Sequence, residues 1–158
     1  MNASQALALM AAIFGGLLLP FAANAVEQLL FIVMQSHDVA VGALVEEVLK
    51  ASLLMAATLF TTRPRVTEGL FFGGMIGLAY GLSENFLFVL FLAGSPELTQ
   101  VQLFRNAFTL AMHVASTGVF GLFLGKAGET NKNAYFVIGF AIAVILHVVF
   151  NLTVLGFK

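Results

Sequence analysis

The residues Leu44-Val45-Glu46-Glu47-Val48-Leu49-Lys50 place two carboxylates and an ammonium inside a stretch, Val39 to Phe60, that is otherwise apolar except for the hydroxyls of Ser52 and Thr58. That stretch is close to the ~20 residues a helix needs to cross a bilayer core of about 30 Å. A charge near mid-membrane costs roughly 2.5 to 3.5 kcal/mol on the most lenient scale, so three ionisable groups this close together require partners. On a helix, Glu46 and Lys50 are four apart with the acid on the N-terminal side, the better orientation for an ion pair. The expectation is a Glu46–Lys50 pair, leaving Glu47, about 100° round the helix, without a local partner. An intramembrane carboxylate in that position is a functional-site candidate.

The rest of the chain agrees with a membrane setting. Of its 158 residues, 60% are hydrophobic and 9% charged, with a mean hydropathy of +1.00; a soluble domain carries about 25% charged residues. Five apolar segments, roughly 5 to 24, 39 to 60, 68 to 93, 106 to 125 and 134 to 156, are expected to be helices, because hydrocarbon leaves no backbone group unpaired. The expected fold is therefore an all-α, polytopic transmembrane bundle of about five helices forming one domain over 1–158, with the chemistry-bearing part at 39–157. A shorter apolar run, Gln28 to Gln35, cannot span alone. It reads as an extension of helix 1 or an interfacial piece, and counting it as a span gives six. Glu27, His37 and Asp38 around it read as solvated edge residues.

Composition also excludes functions. A net charge of −1 and seven scattered Lys and Arg offer no basic face to nucleic acid. Cysteine is absent, which removes disulfides, thiolate nucleophiles and Cys-ligated zinc. The run from Ala6 to Leu19, followed by Pro20 and Ala23-Asn24-Ala25, imitates a signal peptide, but Met1 to Gln5 carries no Lys or Arg. A retained first span is expected. With five spans, the N-terminus, the Arg63/Arg65 loop and the Lys126/Lys132 loop share a side, opposite Arg105 and Lys158. The positive-inside rule then puts the N-terminus in the cytoplasm.

Polar groups recur at related depths in the other helices. Helix 3 carries Gly73, Gly77 and Gly81 at four-residue spacing, a close-packing face. Glu84 and Asn85 continue that stripe, so Glu84 is expected to face the bundle interior. Helix 4 has Asn106, Thr109, His113, Ser116 and Thr117 within one broad face, and helix 5 has His147 and Asn151 one turn apart. Gly121 and Gly125 form a further small-residue face that serves either a homo-oligomer or the packing of helix 5. At 1.5 Å per residue, Glu46, Glu47, Glu84, His113 and His147 all fall roughly 10 to 14 Å below the non-cytoplasmic surface, with Asn151 nearer to it. A polar network that only fastens helices is the plain alternative. Interhelical polar contacts contribute only about 0.6 kcal/mol each in membranes, little beside the cost of inserting a glutamate.

Taken together, Glu46-Glu47-Val48-Leu49-Lys50, Gly77 to Asn85 ending in Ser83-Glu84-Asn85, His113 with Thr117 and Gly118, and His147-Val148-Val149-Phe150-Asn151 resemble the PrsW family of intramembrane proteases, relatives of the CAAX prenyl endopeptidases. The resemblance implies a multi-pass protein of a bacterial cell membrane that cleaves a membrane-anchored protein substrate near the extracytoplasmic boundary. By motif it implies Glu46, Glu47, Glu84, His113, His147 and Asn151 as site residues. The CAAX relatives carry an arginine four residues after the second glutamate; here Lys50 stands three after it. The absence of tryptophan also leaves the gating elements of the larger relatives in question.

On this reading Glu47 is the expected general base, Glu46 supports it through Lys50, His113 orients the water, and His147 with Asn151 donates to the oxyanion. A metal variant stands beside it, with Glu47, Glu84, His113 and His147 as ligands of a divalent ion such as zinc, which needs three protein ligands plus water; the His-Glu-x-x-His signature is absent. Two other classes fit less of the sequence. A non-catalytic scaffold of the same fold would tolerate Glu47→Gln, and a proton-coupled carrier would show inverted repeats or broken helices, which are not seen.

Overall fold

The computed structural model describes residues 3–34, 38–59, 65–92 and 101–155. Among the described residues five helices follow one another: α1 (Ala3–Met34), α2 (Val39–Thr58), α3 (Val66–Leu92), α4 (Val101–Thr130) and α5 (Ala134–Leu155). Four of them, α1, α3, α4 and α5, are long and apolar enough to cross a membrane. In α2 the three ionisable groups interrupt an otherwise apolar run, and the bundle around it supplies their partners.

The run beginning at Gln28 is an extension of α1, one of the two readings its sequence allows; the helix passes through Pro20 without ending and has 32 residues. At 1.5 Å per residue that is about 48 Å, longer than a bilayer core. Helix α4 extends to Thr130, past Lys126, and a short turn with Asn131 at φ 54° leads into α5. Asparagine tolerates this left-handed conformation because its short side chain bonds locally. Asp38 is exposed, as expected, and caps α2 by accepting from the N–H groups of Ala40 and Val41. Glu27, in contrast, is half-buried, its carboxyl close against Gly42 of α2. His37, Arg63 and Lys158 lie outside the described residues.

The glycine stripe explains the core of the packing. Helices α3 and α4 run antiparallel, and a Cβ added at Gly69, Gly73 or Gly77 would collide with the carbonyl oxygens of Gly121, Thr117 and His113 respectively. The two backbones approach so closely only because no side chain stands between them. Gly121 and Gly125 belong to this seam: added Cβ atoms there would strike the carbonyls of Gly69 and Arg65. They pack α3, and so neither of the two roles expected for them is what they do. At the far end of the seam the Asn85 side chain donates to the Asn106 carbonyl at 3.0 Å. Helix α1 lies along α3 in the same direction, with the Ser83 hydroxyl donating to the Leu17 carbonyl at 2.7 Å. Helix α2 bridges α1 and α5. Ala8, Ala12, Leu54, Phe72, Ile76, Phe120 and Ala143 fill the apolar core between these helices.

Candidate active site

The seam sets His113 and Glu84 opposite each other, because Gly77 and Gly81 hold α3 against the turn of α4 that carries the histidine. His113 is fully buried, and its Nε2 lies 2.5 Å from Glu84 Oε2. The α2 groups enter this space from the facing side. Lys50, with no exposed surface, reaches 2.9 Å from His113 Nδ1 and lies 4.8 Å from the centre of the Tyr80 ring.

Lys50 also resolves which glutamate it holds. Its Nζ is 2.5 Å from Glu47 Oε1, so the ion pair joins Lys50 to Glu47 and not, as the sequence suggests, to Glu46. Spacings of three and four are both within reach on a helix. The neighbours decide: Glu47 turns into the bundle, where the same Oε1 accepts from Ser116 Oγ at 3.2 Å and lies 2.9 Å from His147 Nδ1, while His113 draws the ammonium the same way. The carboxylate that Lys50 does not pair is Glu46, which shares a hydrogen bond with the Tyr80 side chain. Its Oε2 is buried, has no hydrogen-bond partner among the described residues, and faces His147 Nε2 at 3.7 Å.

Five of the six expected site residues thus form one cluster. The rings of His113 and His147 meet edge to face with centroids 5.1 Å apart. Asn151 is half-buried one turn beyond His147, outside this web of contacts. Two members carry no role in the sequence reading. Ser116 holds Glu47, and Tyr80, 1% exposed, stacks on His113 with centroids 4.8 Å apart. Tyr80 was legible in principle: it lies one turn before Glu84 on the glycine helix, a phenol that needs a polar neighbour once buried.

The cluster also suits a cation. Glu46, His113 and His147 each offer one ligand atom, and these atoms lie within 4.8 Å of one another. This grouping takes Glu46 in place of Glu47, whose Oε1 is already engaged by Lys50, Ser116 and His147, and leaves Glu84 behind His113. The fit rests on two features. A buried carboxylate oxygen without a partner is costly, and Glu46 Oε2 is one. His147 is fixed through Nδ1 by a carboxylate, the support that metal-ligating histidines usually have.

No curated protein and no solved structure matches the chain. Residues 3–157, nearly the whole of it, match the profile of the PrsW family intramembrane metalloprotease.

Proposed function

This chain belongs to the PrsW family of intramembrane metalloproteases, and from that membership we propose that it hydrolyses a peptide bond of a membrane-anchored protein near the extracytoplasmic boundary of the cell membrane, with its N-terminus in the cytoplasm. The observation that carries the mechanism is the buried, unpartnered Glu46 Oε2 facing His147. Glu46 is the general base. It takes a proton from a water whose oxygen attacks the scissile carbonyl carbon, then returns that proton to the leaving amine as the C–N bond breaks. Glu47 holds the His147 ring in place, Lys50 balances the Glu47 charge, and Glu84 positions His113. Asn151, one turn from His147, donates to the carbonyl oxygen as it gains charge.

Glu46 and His147 would hold a divalent ion such as zinc, and His113 would complete the set by giving up the contact of one ring nitrogen to Glu84 or Lys50. When bound, such an ion lowers the pKa of water and polarises a carbonyl.

The test compares membrane-protein N-termini, by mass spectrometry, in cells expressing the wild type or Glu46→Gln at matched levels. New N-termini at the outer ends of substrate spans, present only with the wild type, are the expected result and identify the substrate. Identical profiles from two folded, inserted proteins favour a scaffold instead.

A further inference from the structure

His113 and His147 are both buried, both paired to glutamates, and adjacent, yet their hydrogen-bond surroundings are opposite. A carboxylate can only accept, and a lysine ammonium can only donate. At His147 the group on Nδ1 is the Glu47 carboxylate, 2.9 Å away, so Nδ1 bears the hydrogen and Nε2 is bare. At His113 the group on Nδ1 is the Lys50 ammonium, 2.9 Å away, so Nδ1 is the bare nitrogen. The hydrogen then sits on Nε2, where the Glu84 carboxylate accepts it at 2.5 Å. Two independent partners enforce the same arrangement at His113, one from each side of the ring.

We infer that the two site histidines are held in opposite tautomers, His147 with a lone pair at Nε2 and His113 with a hydrogen at Nε2, and that Lys50 is the positioning residue that sets the second. The two roles follow. Across the 3.7 Å between His147 Nε2 and Glu46 Oε2, two acceptors face each other, and the gap calls for a water proton or a cation. The other imidazole presents a donor. His147 with Glu46 therefore forms the water-activating side of the site, and His113 with Glu84 the hydrogen-donating side. That reverses the division expected from sequence, in which His113 orients the water and His147 donates. A cation held by Glu46 and His147 meets a lone pair on one imidazole and a hydrogen on the other. These roles rest on the proteolytic reading; the tautomers do not.

The experiment is nitrogen–proton correlation NMR on metal-free protein labelled with ¹⁵N-histidine, at neutral pH. A His37→Gln background leaves two imidazoles, His113 and His147. One Nδ1–H ring and one Nε2–H ring are expected. Two rings of the same tautomer, or a ring protonated on both nitrogens, overturn the inference. A second protein, Glu84→Gln in the same background, isolates Lys50, because the replacement amide can present either its oxygen or its NH₂ to the ring. The Nε2–H ring is expected to persist, and its conversion to Nδ1–H removes Lys50 from the role. Neither result depends on whether the protein cleaves anything, so a failed cleavage experiment and a failed tautomer assignment remain distinguishable.

Discussion

The glycine seam and the polar layer meet at the same turn of α4 but hold their helices by opposite means. In the seam, Gly69, Gly73 and Gly77 let backbone press on backbone, and nothing there can adjust. In the layer, the long side chains of Glu47 and Lys50 cross between α2, α4 and α5 and are held there by hydrogen bonds and ion pairs. The seam gives rigidity without chemistry. The layer gives chemistry whose geometry depends on the seam, because His113 and Glu84 are placed by it. The difference predicts that changes in the layer are read in turnover and changes in the seam in stability.

Glu46→Gln is expected to have the largest effect. Removing the proposed base costs a factor of about 10² to 10⁴ in cleavage rate, while thermal unfolding in detergent stays close to the wild type because glutamine keeps the shape of the side chain and an oxygen for the Tyr80 hydrogen bond. A variant that cleaves normally would move the chemistry off Glu46. Lys50→Met tests the part of the layer that is also structural. Breaking one side of a buried ion pair costs about 3 to 5 kcal/mol because the other charge is left stranded. Pairing it with Glu47→Gln is expected to recover part of the unfolding temperature but not the activity. If the double variant is less stable than Lys50→Met, the Glu47–Lys50 pair is not the dominant contact of either residue.

In the seam, Gly77→Ala puts a methyl group onto the His113 carbonyl and the Val114 Cα, backbone atoms that cannot yield. Overpacking of this kind costs about 1 to 3 kcal/mol, measurable as a lower unfolding temperature. Because it pushes His113 from Glu84, turnover falls with it. Asn85→Ala removes one hydrogen bond between α3 and α4 and is expected to cost about 1 kcal/mol. Gly74→Ala, next to the seam but with nothing near its new methyl group, marks the lower end, within about 0.5 kcal/mol of the wild type. Equal effects of Gly77→Ala and Gly74→Ala would break the contrast between seam and surface.

Much of this arrangement is legible in the residue pattern. Apolar segments without backbone breaks must be helices in hydrocarbon, and depth counting alone puts Glu46, Glu47, Glu84, His113 and His147 in one layer. The four-residue glycine spacing likewise requires a close helix partner and turns Glu84 inward. Less was legible at the helix ends: the run from Gln28 could be read as an extension of helix 1 or as an interfacial piece, and the chain from Lys126 to Thr130 is helical although polar residues interrupt the apolar run. The partner of Gly121 and Gly125 was hidden as well, since small residues announce a contact but not with which helix.

Composition, periodicity and spacing therefore determined the helices, their membrane setting and the five ionisable groups Glu46, Glu47, Glu84, His113 and His147 of the polar layer, all of which depend on one chain segment at a time. Which of two adjacent glutamates is tied and which is open was decided by the tertiary structure alone. From Lys50, Glu46 and Glu47 are both within reach along α2, and a helix by itself distinguishes them weakly. The choice comes from Ser116 and His147, which engage Glu47, and His113, which engages Lys50, approaching from α4 and α5. A hydrogen bond saves little where water can replace it and much where it cannot. In this buried interior, three neighbours from other helices outweigh the local preference, leaving Glu46 Oε2 turned toward His147 instead of Lys50.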